Sequence, residues 1–367
     1  MSKKNIVFIV ICIMILSSII FSYNADKLVI SNEKLTKHEF EKIYMDEEMN
    51  CLHFIEKKLS SKAGGIYTNY LYTKEITNLA SGHEILSESE GLIMLYYVKN
   101  NNKKLFDQHF EFVRNNMMTK KGGIKWRVRE GNNNLTSSPA SIDDLRVIRS
   151  LIEGYNKWKD KEYYQLISKI SKYTLKNSTY KEIITNSYDD HGIDLSYMDL
   201  YTIKLLKDKK WDKIYNHSLD IIEKGYISDE FPFYKKKYHI NTQKYSNTKT
   251  INMIDSLLVV LHLSEVGLAK EQTIDWIRNE LLNKGNIYSD YNRSTGNHSS
   301  KEESTAVYAI TARIAKNIRD KALYDKAIRK MINLQVNDPS SQICGSFGDI
   351  NTLQVYSFDN LQALLAF

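Results

Sequence analysis

Three acidic side chains stand in the first turn of three helices that the sequence predicts. Glu88 lies in Leu86-Ser-Glu-Ser-Glu-Gly-Leu-Ile-Met94, and Asp144 and Asp255 open two later apolar helices. Hydrolysis of a glycosidic bond needs one protonated carboxyl as general acid and a second carboxylate as base or nucleophile. Because the three residues come from separate helices, they could lie on opposite sides of a bound sugar.

Each of these carboxylates also fits a simpler structural role. Ser87 and Glu90 have the spacing of a capping box, so we interpret Glu90 as a capping residue. Asp144 and Asp255 each lie three positions after a side chain that caps helices well. A helix N-terminus favours the anion, which opposes the acid role of Glu88 unless burial or a neighbouring anion raises its pKa. Capping therefore stays an alternative for all three.

Aromatic and polar residues near these helix starts fit a sugar-binding cleft. Trp126 and Arg127 lie in the long loop before Asp144, Tyr197 begins a helix, and Tyr67 follows a Gly-Gly pair. Aromatic faces bind pyranose rings by burying their C–H surface. Core packing and capping are the alternatives for these four residues, since aromatic side chains are usually well buried.

The elements that must position these residues are helices, because helical periodicity dominates and only three prolines occur. Short links alternate with long loops rich in glycine and asparagine, which indicates antiparallel helical hairpins. We expect an all-α (α/α)6 toroid in which the even-numbered helices start on one rim. The twelve predicted segments are 37–59, 86–99, 103–118, 142–157, 161–175, 196–206, 211–224, 252–266, 270–284, 302–317, 321–335 and 356–367.

Composition excludes several classes of function. The net charge is +7 over 367 residues, but the Lys and Arg residues are scattered rather than clustered, so no nucleic-acid partner is expected. Cys51 and Cys344 make no disulfide framework. The sequence has no CxxC, HxxxH or Gly-rich phosphate loop, so neither a metal nor another cofactor is expected.

The N-terminus has the pattern of a membrane-directed segment. Met-Ser-Lys-Lys precedes an apolar run at 6–21, which fits a signal peptide or a signal-anchor helix, and a cleavage site after Ala25 would place the bulky Tyr23 at −3. We therefore expect residues 1–25 to be an anchor or signal, 26–35 a linker and 36–367 one domain. The domain would then be held outside the membrane or secreted.

The same residues resemble glycoside hydrolase family 8, in particular its branch of exopolysaccharide hydrolases from Gram-positive bacteria. The block at 86–94 is similar to Ser-Glu-Gly-x-Gly-x-x-Met, and Ala140-Ser-Ile-Asp-Asp-Leu-Arg146 is similar to Ala-Thr/Ser-Asp-x-Asp-Leu. Asp194-Leu-Ser-Tyr-Met198 resembles Asn-Pro-Ser-Tyr-Phe. Ile251-Asn-Met-Ile-Asp-Ser256 stands where the family has Tyr-Asp-Ala-x-Arg, with leucines in place of the Arg.

The resemblance covers about 64–367 and implies an inverting endo-hydrolase with a six-hairpin α/α ring. It assigns Glu88 as general acid, Asp255 as general base and Asp144 as the contact to the central sugar. Family members cut β-1,4-linked polymers or polymers made by their own cell, so a cell-surface exopolysaccharide is the expected substrate and a polysaccharide synthase complex an expected partner. Two alternatives stay open: a non-catalytic polysaccharide-binding or synthase-associated protein, and an α/α scaffold or lyase.

Overall fold

A computed structural model describes residues 28–31, 40, 43–75, 77–130, 138–188 and 190–367. The expected signal or anchor segment at 1–25 lies outside these residues. Among the residues that are described, no helix combines the length and the apolar character that crossing a membrane would require.

The described chain contains twelve α-helices. The helix predicted at 37–59 begins at Met45, and the segment predicted at 196–206 is a 3₁₀ turn at Leu195–Tyr197 followed by a short helix, because Asp199 caps that helix through the Thr202 N–H. The helices are α1 Met45–Phe54, α2 Ser87–Lys99, α3 Lys103–Phe112, α4 Ser141–Trp158, α5 Lys161–Asn177, α6 Leu200–Leu205, α7 Lys209–Lys224, α8 Met253–Glu265, α9 Glu271–Arg278, α10 Thr305–Ile318, α11 Lys321–Ile332 and α12 Ser357–Ala366. Wider, π-helical turns extend α1, α3 and α9 over Ile55–Leu59, Val113–Met117 and Asn279–Lys284.

The six even-numbered helices form an inner ring. Each packs against the next, and α12 packs back against α2, where the Ser89 and Ser357 hydroxyls meet at 2.9 Å. The odd-numbered helices lie outside them. This arrangement agrees with the predicted (α/α)6 toroid.

The two ends of the ring differ in the length of the connections that they carry. We call one end the link end, because it carries the short links 100–102, 159–160, 206–208, 266–270 and 319–320. The other is the loop end, which carries the long connections 60–86, 118–140, 178–199, 225–252, 285–304 and 333–356. All six inner helices therefore begin at the loop end, as the alternation of short and long connections predicts.

Short antiparallel strand pairs fix the long loops at the starts of the inner helices. The pair formed by Glu84–Leu86 and Arg127–Arg129 leads into α2, and the pair formed by Thr250–Asn252 and Asp290–Asn292 leads into α8. The strands are β1 Val29–Ile30, β2 Glu84–Leu86, β3 Arg127–Arg129, β4 Thr179–Tyr180, β5 Ile183–Ile184, β6 Gly192–Asp194, β7 Leu206–Lys207, β8 Lys237–His239, β9 Lys244–Tyr245, β10 Thr250–Asn252 and β11 Asp290–Asn292.

The inner helices are apolar on most sides because other helices surround them. In α8 every residue from Ser256 to Glu265 is buried, whereas the outer helix α7 buries only one face. Close packing of α2 on α4 depends on Gly91, where an added Cβ would lie 2.9 Å from the Arg146 Cβ and 3.0 Å from its carbonyl carbon. This glycine lets the first turns of the two helices approach each other.

Candidate active site

Glu88 lies in the first turn of α2 at the loop end. The β2–β3 pair holds this turn, since the Ser87 N–H donates to the Trp126 carbonyl at 3.0 Å. The Glu88 side chain keeps 22 % of its surface exposed, and its Oε2 lies 2.7 Å from Arg146 Nη1. The carboxylate that the sequence singles out is thus accessible and paired with a guanidinium.

Arg146 connects Glu88 to a second carboxylate, Asp143. The same Nη1 atom lies 3.0 Å from Asp143 Oδ1, and the Ser87 hydroxyl donates to Asp143 Oδ2 at 3.2 Å. Burial raises the pKa of Asp143 to about 7, with the attraction of Arg146 opposing the shift and the charge of Glu88 adding to it. Two carboxylates therefore share one cation, and one of them titrates near neutral pH.

Glu90 does not cap α2, so the capping-box prediction is wrong. The N-cap position is Leu86, and the Glu90 side chain is fully buried. Its Oε1 accepts the Ile66 N–H at 2.8 Å, and its Oε2 lies 2.8 Å from His109 Nδ1 on α3. Glu90 is a buried link between α2, the outer layer and the loop before β2.

Asp144 does not join the Glu88 group, contrary to the role that the sequence predicts for it. Its side chain is fully buried, and its Oδ2 accepts from the Thr174 hydroxyl on α5 at 3.4 Å. Burial raises the pKa of Asp144 well above its usual range, and the charge of Asp143 adds to this. The next residue toward the N-terminus, Asp143, is the aspartate that lies beside Arg146 and Glu88.

Asp255 lies in the first turn of α8, at the same end of the ring as Glu88. Asn252 caps this helix by accepting the Asp255 N–H at 3.2 Å, as the sequence predicts. The Asp255 carboxylate is 35 % exposed and lies 3.2 Å from Lys236 Nζ, and its charge raises the pKa of Lys236. It opens into a cavity of about 200 Å³ that Ser196, Tyr234 and Asp290 also line.

Tyr197 and Asp194 each interact electrostatically with one of the two acidic groups. Burial raises the pKa of Tyr197, and the nearby charges of Asp143, Glu88 and Asp194 raise it further. Burial likewise raises the pKa of Asp194, and the charge of Asp255 acts in the same direction. These electrostatic contacts run from Glu88 to Asp255, while the 6.5–9.5 Å separation that an inverting pair requires stays a prediction.

The other predicted sugar contacts surround the start of α2. The Arg127 guanidinium covers the Trp126 ring at 4.5 Å and pairs with Glu84 at 3.3 Å. Tyr67 stacks on His83 with ring centroids 4.0 Å apart, and its hydroxyl donates to Glu130 at 3.1 Å. All three residues lie at the loop end, but these contacts place none of them against Glu88 itself.

Sequence reasoning did not single out Arg146, Lys236, Asp359 or Asp143 as candidate site residues. Burial raises the pKa of Asp359 on α12, and the charge of Glu88 contributes to the shift, so this carboxyl also borders the site. The Asp143 and Arg146 pair has the i, i+3 spacing of a helical ion pair, which is the one local signal that could have indicated it.

One buried cluster has ligand types that suit a metal. Asp199, His262 and Glu265 offer atoms within 4.8 Å of one another. Arg149 already occupies both oxygens of Glu265 at 2.7 and 2.8 Å, and it lies 3.9 Å from Asp199. A cation would have to displace this guanidinium, so the cluster is an ion-pair network inside the ring.

Two amide substitutions should separate the roles of the adjacent aspartates. Asp143→Asn is expected to lower kcat about tenfold or more, because displacing a catalytic group by 1 Å can cost about 10²-fold.

Asp144→Asn should leave kcat unchanged. The folded state binds the Asp144 proton more tightly than the unfolded chain, so ionisation destabilises the fold as the pH rises above about 4. The asparagine variant should lose that pH dependence, measured as the free energy of unfolding between pH 4 and 8.

Comparisons with known proteins agree with this fold. Residues 75–186 match the profile of Glycosyl hydrolases family 8. A structure described as a novel alpha-amylase from Clostridium perfringens is 40 % identical, covers 89 % of this chain and 98 % of its own, and superimposes with a TM-score of 0.83. PssZ from Listeria monocytogenes shares the fold at 21 % identity and a TM-score of 0.68, over 91 % of this chain and 97 % of its own.

A curated relative extends the similarity to a further organism. The putative lipoprotein YdaJ of Bacillus subtilis (strain 168) is 25 % identical over 82 % of this chain and 84 % of its own length. The relative from Clostridium perfringens is similar over nearly the whole domain, and the family profile covers the helix starts that carry Glu88 and Asp143. The chain therefore belongs to glycoside hydrolase family 8 and is a glycosidase.

Proposed function

We propose that the chain is an inverting, endo-acting glycoside hydrolase that cleaves a polysaccharide at the outer face of the cell membrane. One observation supports this most: Glu88 and Asp255 both lie, partly exposed, in first turns of inner helices at the loop end. The charge of Glu88 acts on Tyr197 and the charge of Asp255 acts on Asp194, and Asp194 also acts on Tyr197. Two accessible carboxylates on separate helices are what acid and base catalysis across a sugar requires.

Glu88 acts as the general acid in this proposal, and its contact with Arg146 affects when the Glu88 carboxyl can carry a proton. Arg146 contacts Glu88 and Asp143 through one nitrogen atom, so the guanidinium can stay paired with Asp143 while Glu88 is protonated. In this proposal the two carboxyls hold one proton between them, since burial and the charge of Glu88 both raise the pKa of Asp143. Glu88 then gives this proton to the leaving glycosidic oxygen.

Asp255 acts as the general base on the opposite face of the sugar. Its carboxylate opens into the cavity and takes a proton from water as the water attacks the anomeric carbon. Lys236, half exposed on the same cavity wall, pairs with this carboxylate at 3.2 Å. The aromatic rings of Tyr197, Trp126 and Tyr67 contact the sugars on either side of the bond, and Arg127 donates to their hydroxyl groups.

Two linkages are candidates for the substrate. The family resemblance suggests a β-1,4-linked polymer, such as an exopolysaccharide made by the same cell. The relative from Clostridium perfringens is described as an alpha-amylase, and its 40 % identity favours an α-linked glucan. On similarity alone, the α-linked candidate has the stronger support.

Product analysis tests the reaction and the linkage together. We expect the purified protein to lower the viscosity of one soluble glucan, α-1,4- or β-1,4-linked, faster than it releases reducing ends. Proton NMR at early times should show the opposite anomer at each new reducing end, since an inverting enzyme makes β from α and α from β. Retention of configuration would refute the roles given to Glu88 and Asp255.

One alternative is a non-catalytic polysaccharide-binding protein. The ion pair of Arg146 with Glu88 favours it, because the pair stabilises the carboxylate anion, whereas a general acid must carry a proton. This alternative predicts that the polymer binds without being cut. Binding measured by affinity electrophoresis, with no new reducing ends from either glucan or from the cell's own surface polymer, would support it over the hydrolase.

A further inference from the structure

The turn at 195–197 has contacts to both proposed catalytic groups. The Tyr197 ring interacts electrostatically with Glu88, and Ser196 lines the cavity into which Asp255 opens. Five of the six residues from 195 to 200 are buried, and Tyr197 is the one that keeps some of its surface exposed. The position of this turn therefore determines where the Tyr197 ring can contact a sugar.

The turn is too short to fix its own position. It is a single 3₁₀ turn of three residues between β6 and α6, and the hydrogen-bond geometry of such turns is poorer than that of an α-helix. Contacts with other elements therefore hold it in place. One of them is the Leu195 N–H, which donates to the Lys236 carbonyl at 2.9 Å.

His262 of α8 provides another contact to this turn. Its Nε2 lies 3.2 Å from the Ser196 carbonyl oxygen, and both residues are buried. Because a carbonyl oxygen can only accept a hydrogen bond, Nε2 carries the proton and donates it. This carbonyl belongs to the peptide group that joins Ser196 to Tyr197. His262 thus holds the peptide group from which the Tyr197 residue continues toward the cleft.

The buried ion-pair network orients the His262 ring. On the other side of the ring, Nδ1 lies 3.8 Å from both Asp199 Oδ1 and Glu265 Oε2. Arg149 of α4 holds both oxygens of Glu265 and lies 3.9 Å from Asp199, which also caps α6. The groups around one ring nitrogen determine what the other nitrogen does. The two carboxylates therefore keep Nε2 directed at the Ser196 carbonyl.

We propose that His262 is a positioning residue for substrate binding, which holds the turn so that the Tyr197 ring faces the cleft. His262 acts on the sugar through Tyr197, so this inference rests on the sugar contact that is proposed for Tyr197. A buried ion pair returns about as much free energy as its desolvation costs, so the network adds little stability. Its effect is expected in polysaccharide binding, because a displaced aromatic ring loses its contact with the sugar face.

Two neutral amides test the hydrogen bond to the turn. His262→Gln places an amide N–H near the position of Nε2 and should keep the donation to the Ser196 carbonyl, whereas the shorter side chain in His262→Asn cannot reach it. We expect KM for the polysaccharide to stay near the wild-type value in the first variant. In the second it should rise about tenfold, the size of one lost hydrogen bond, with a smaller change in kcat. Equal KM values in the two variants overturn the proposal.

A double-mutant cycle tests whether the effect passes through Tyr197. Tyr197→Ala alone should raise KM about tenfold, and adding His262→Asn should raise it little further, because both changes remove the same sugar contact. Independent effects would multiply to about a hundredfold and would refute the positioning role alone. An unchanged KM in Tyr197→Ala would refute the sugar contact proposed for Tyr197 and the positioning role with it, without touching the roles of Glu88 and Asp255.

His109→Asn is the matched control. His109 is also a buried histidine beside a carboxylate, with Nδ1 2.8 Å from Glu90, but it lies on the outer helix α3. Its replacement should leave KM unchanged, alone and together with Tyr197→Ala. A rise in KM as large as that of His262→Asn would mean that any loss of a buried histidine weakens binding, and would overturn the proposal. Failure of either His262 variant to fold, measured by thermal unfolding, would show that His262 serves stability and would overturn it as well.

Discussion

A Glu88→Gln variant is expected to lose about 10²- to 10⁴-fold in kcat on a polysaccharide, the range that general acid catalysis contributes. The amide has the size of the carboxyl but cannot give a proton to the leaving oxygen. A substrate with a dinitrophenyl leaving group needs no such proton, so the variant should keep most of its activity on a dinitrophenyl oligosaccharide. Steady-state kinetics on both substrates give the comparison.

Glu111→Gln is the matched control for this variant. Glu111 also pairs with an arginine, Arg114, at 2.6 Å, but it lies on the outer helix α3. Its replacement should leave kcat unchanged on both substrates. Equal losses on the polysaccharide and on the activated substrate would mean that Glu88 has a role other than proton donation.

An Asp255→Asn variant is expected to lose about 10²- to 10⁴-fold in kcat, because no other group in the cavity is proposed to take the proton from the attacking water. Azide is a nucleophile without a proton to lose, so it should restore part of the activity and yield a glycosyl azide of inverted configuration. NMR identifies this product, and Glu88→Gln on a polysaccharide should not respond to azide.

Asp220→Asn controls for the loss of an aspartate–lysine pair. Asp220 lies 2.8 Å from Lys224 on the exposed side of α7, and its replacement should not affect kcat. Full activity of Asp255→Asn without azide would place the base elsewhere, and the bordering carboxyls Asp194 and Asp359 would be the next to replace.

The sequence predicts the ring well because its signals are local. Helix lengths, amphipathic outer helices and the alternation of short and long connections all follow from residues close together in the chain. The segment predicted at 196–206 differed because Asp199 starts the helix several residues later than periodicity indicates. The capping box at Ser87 failed because burial against His109 competes for the Glu90 side chain.

The site is less predictable because its contacts join distant parts of the chain. Asp143 and Asp144 are adjacent, and successive side chains on a helix point about 100° apart. Which of the two aspartates faces the cleft therefore depends on how α4 packs on α2. Gly91 sets that packing through its contact with Arg146. The partners of Arg146 and Lys236 lie on other elements, and no local pattern indicates them.

The active site is complete only when the inner ring has closed, so catalysis requires complete folding of the domain. The Ser89–Ser357 contact joins positions 268 residues apart, and Asp359 on the same final helix borders Glu88. One wall of the groove is therefore missing until α12 docks. A nascent chain would carry its acid residue without a working site, so hydrolysis begins only after the whole domain has been released and has assembled.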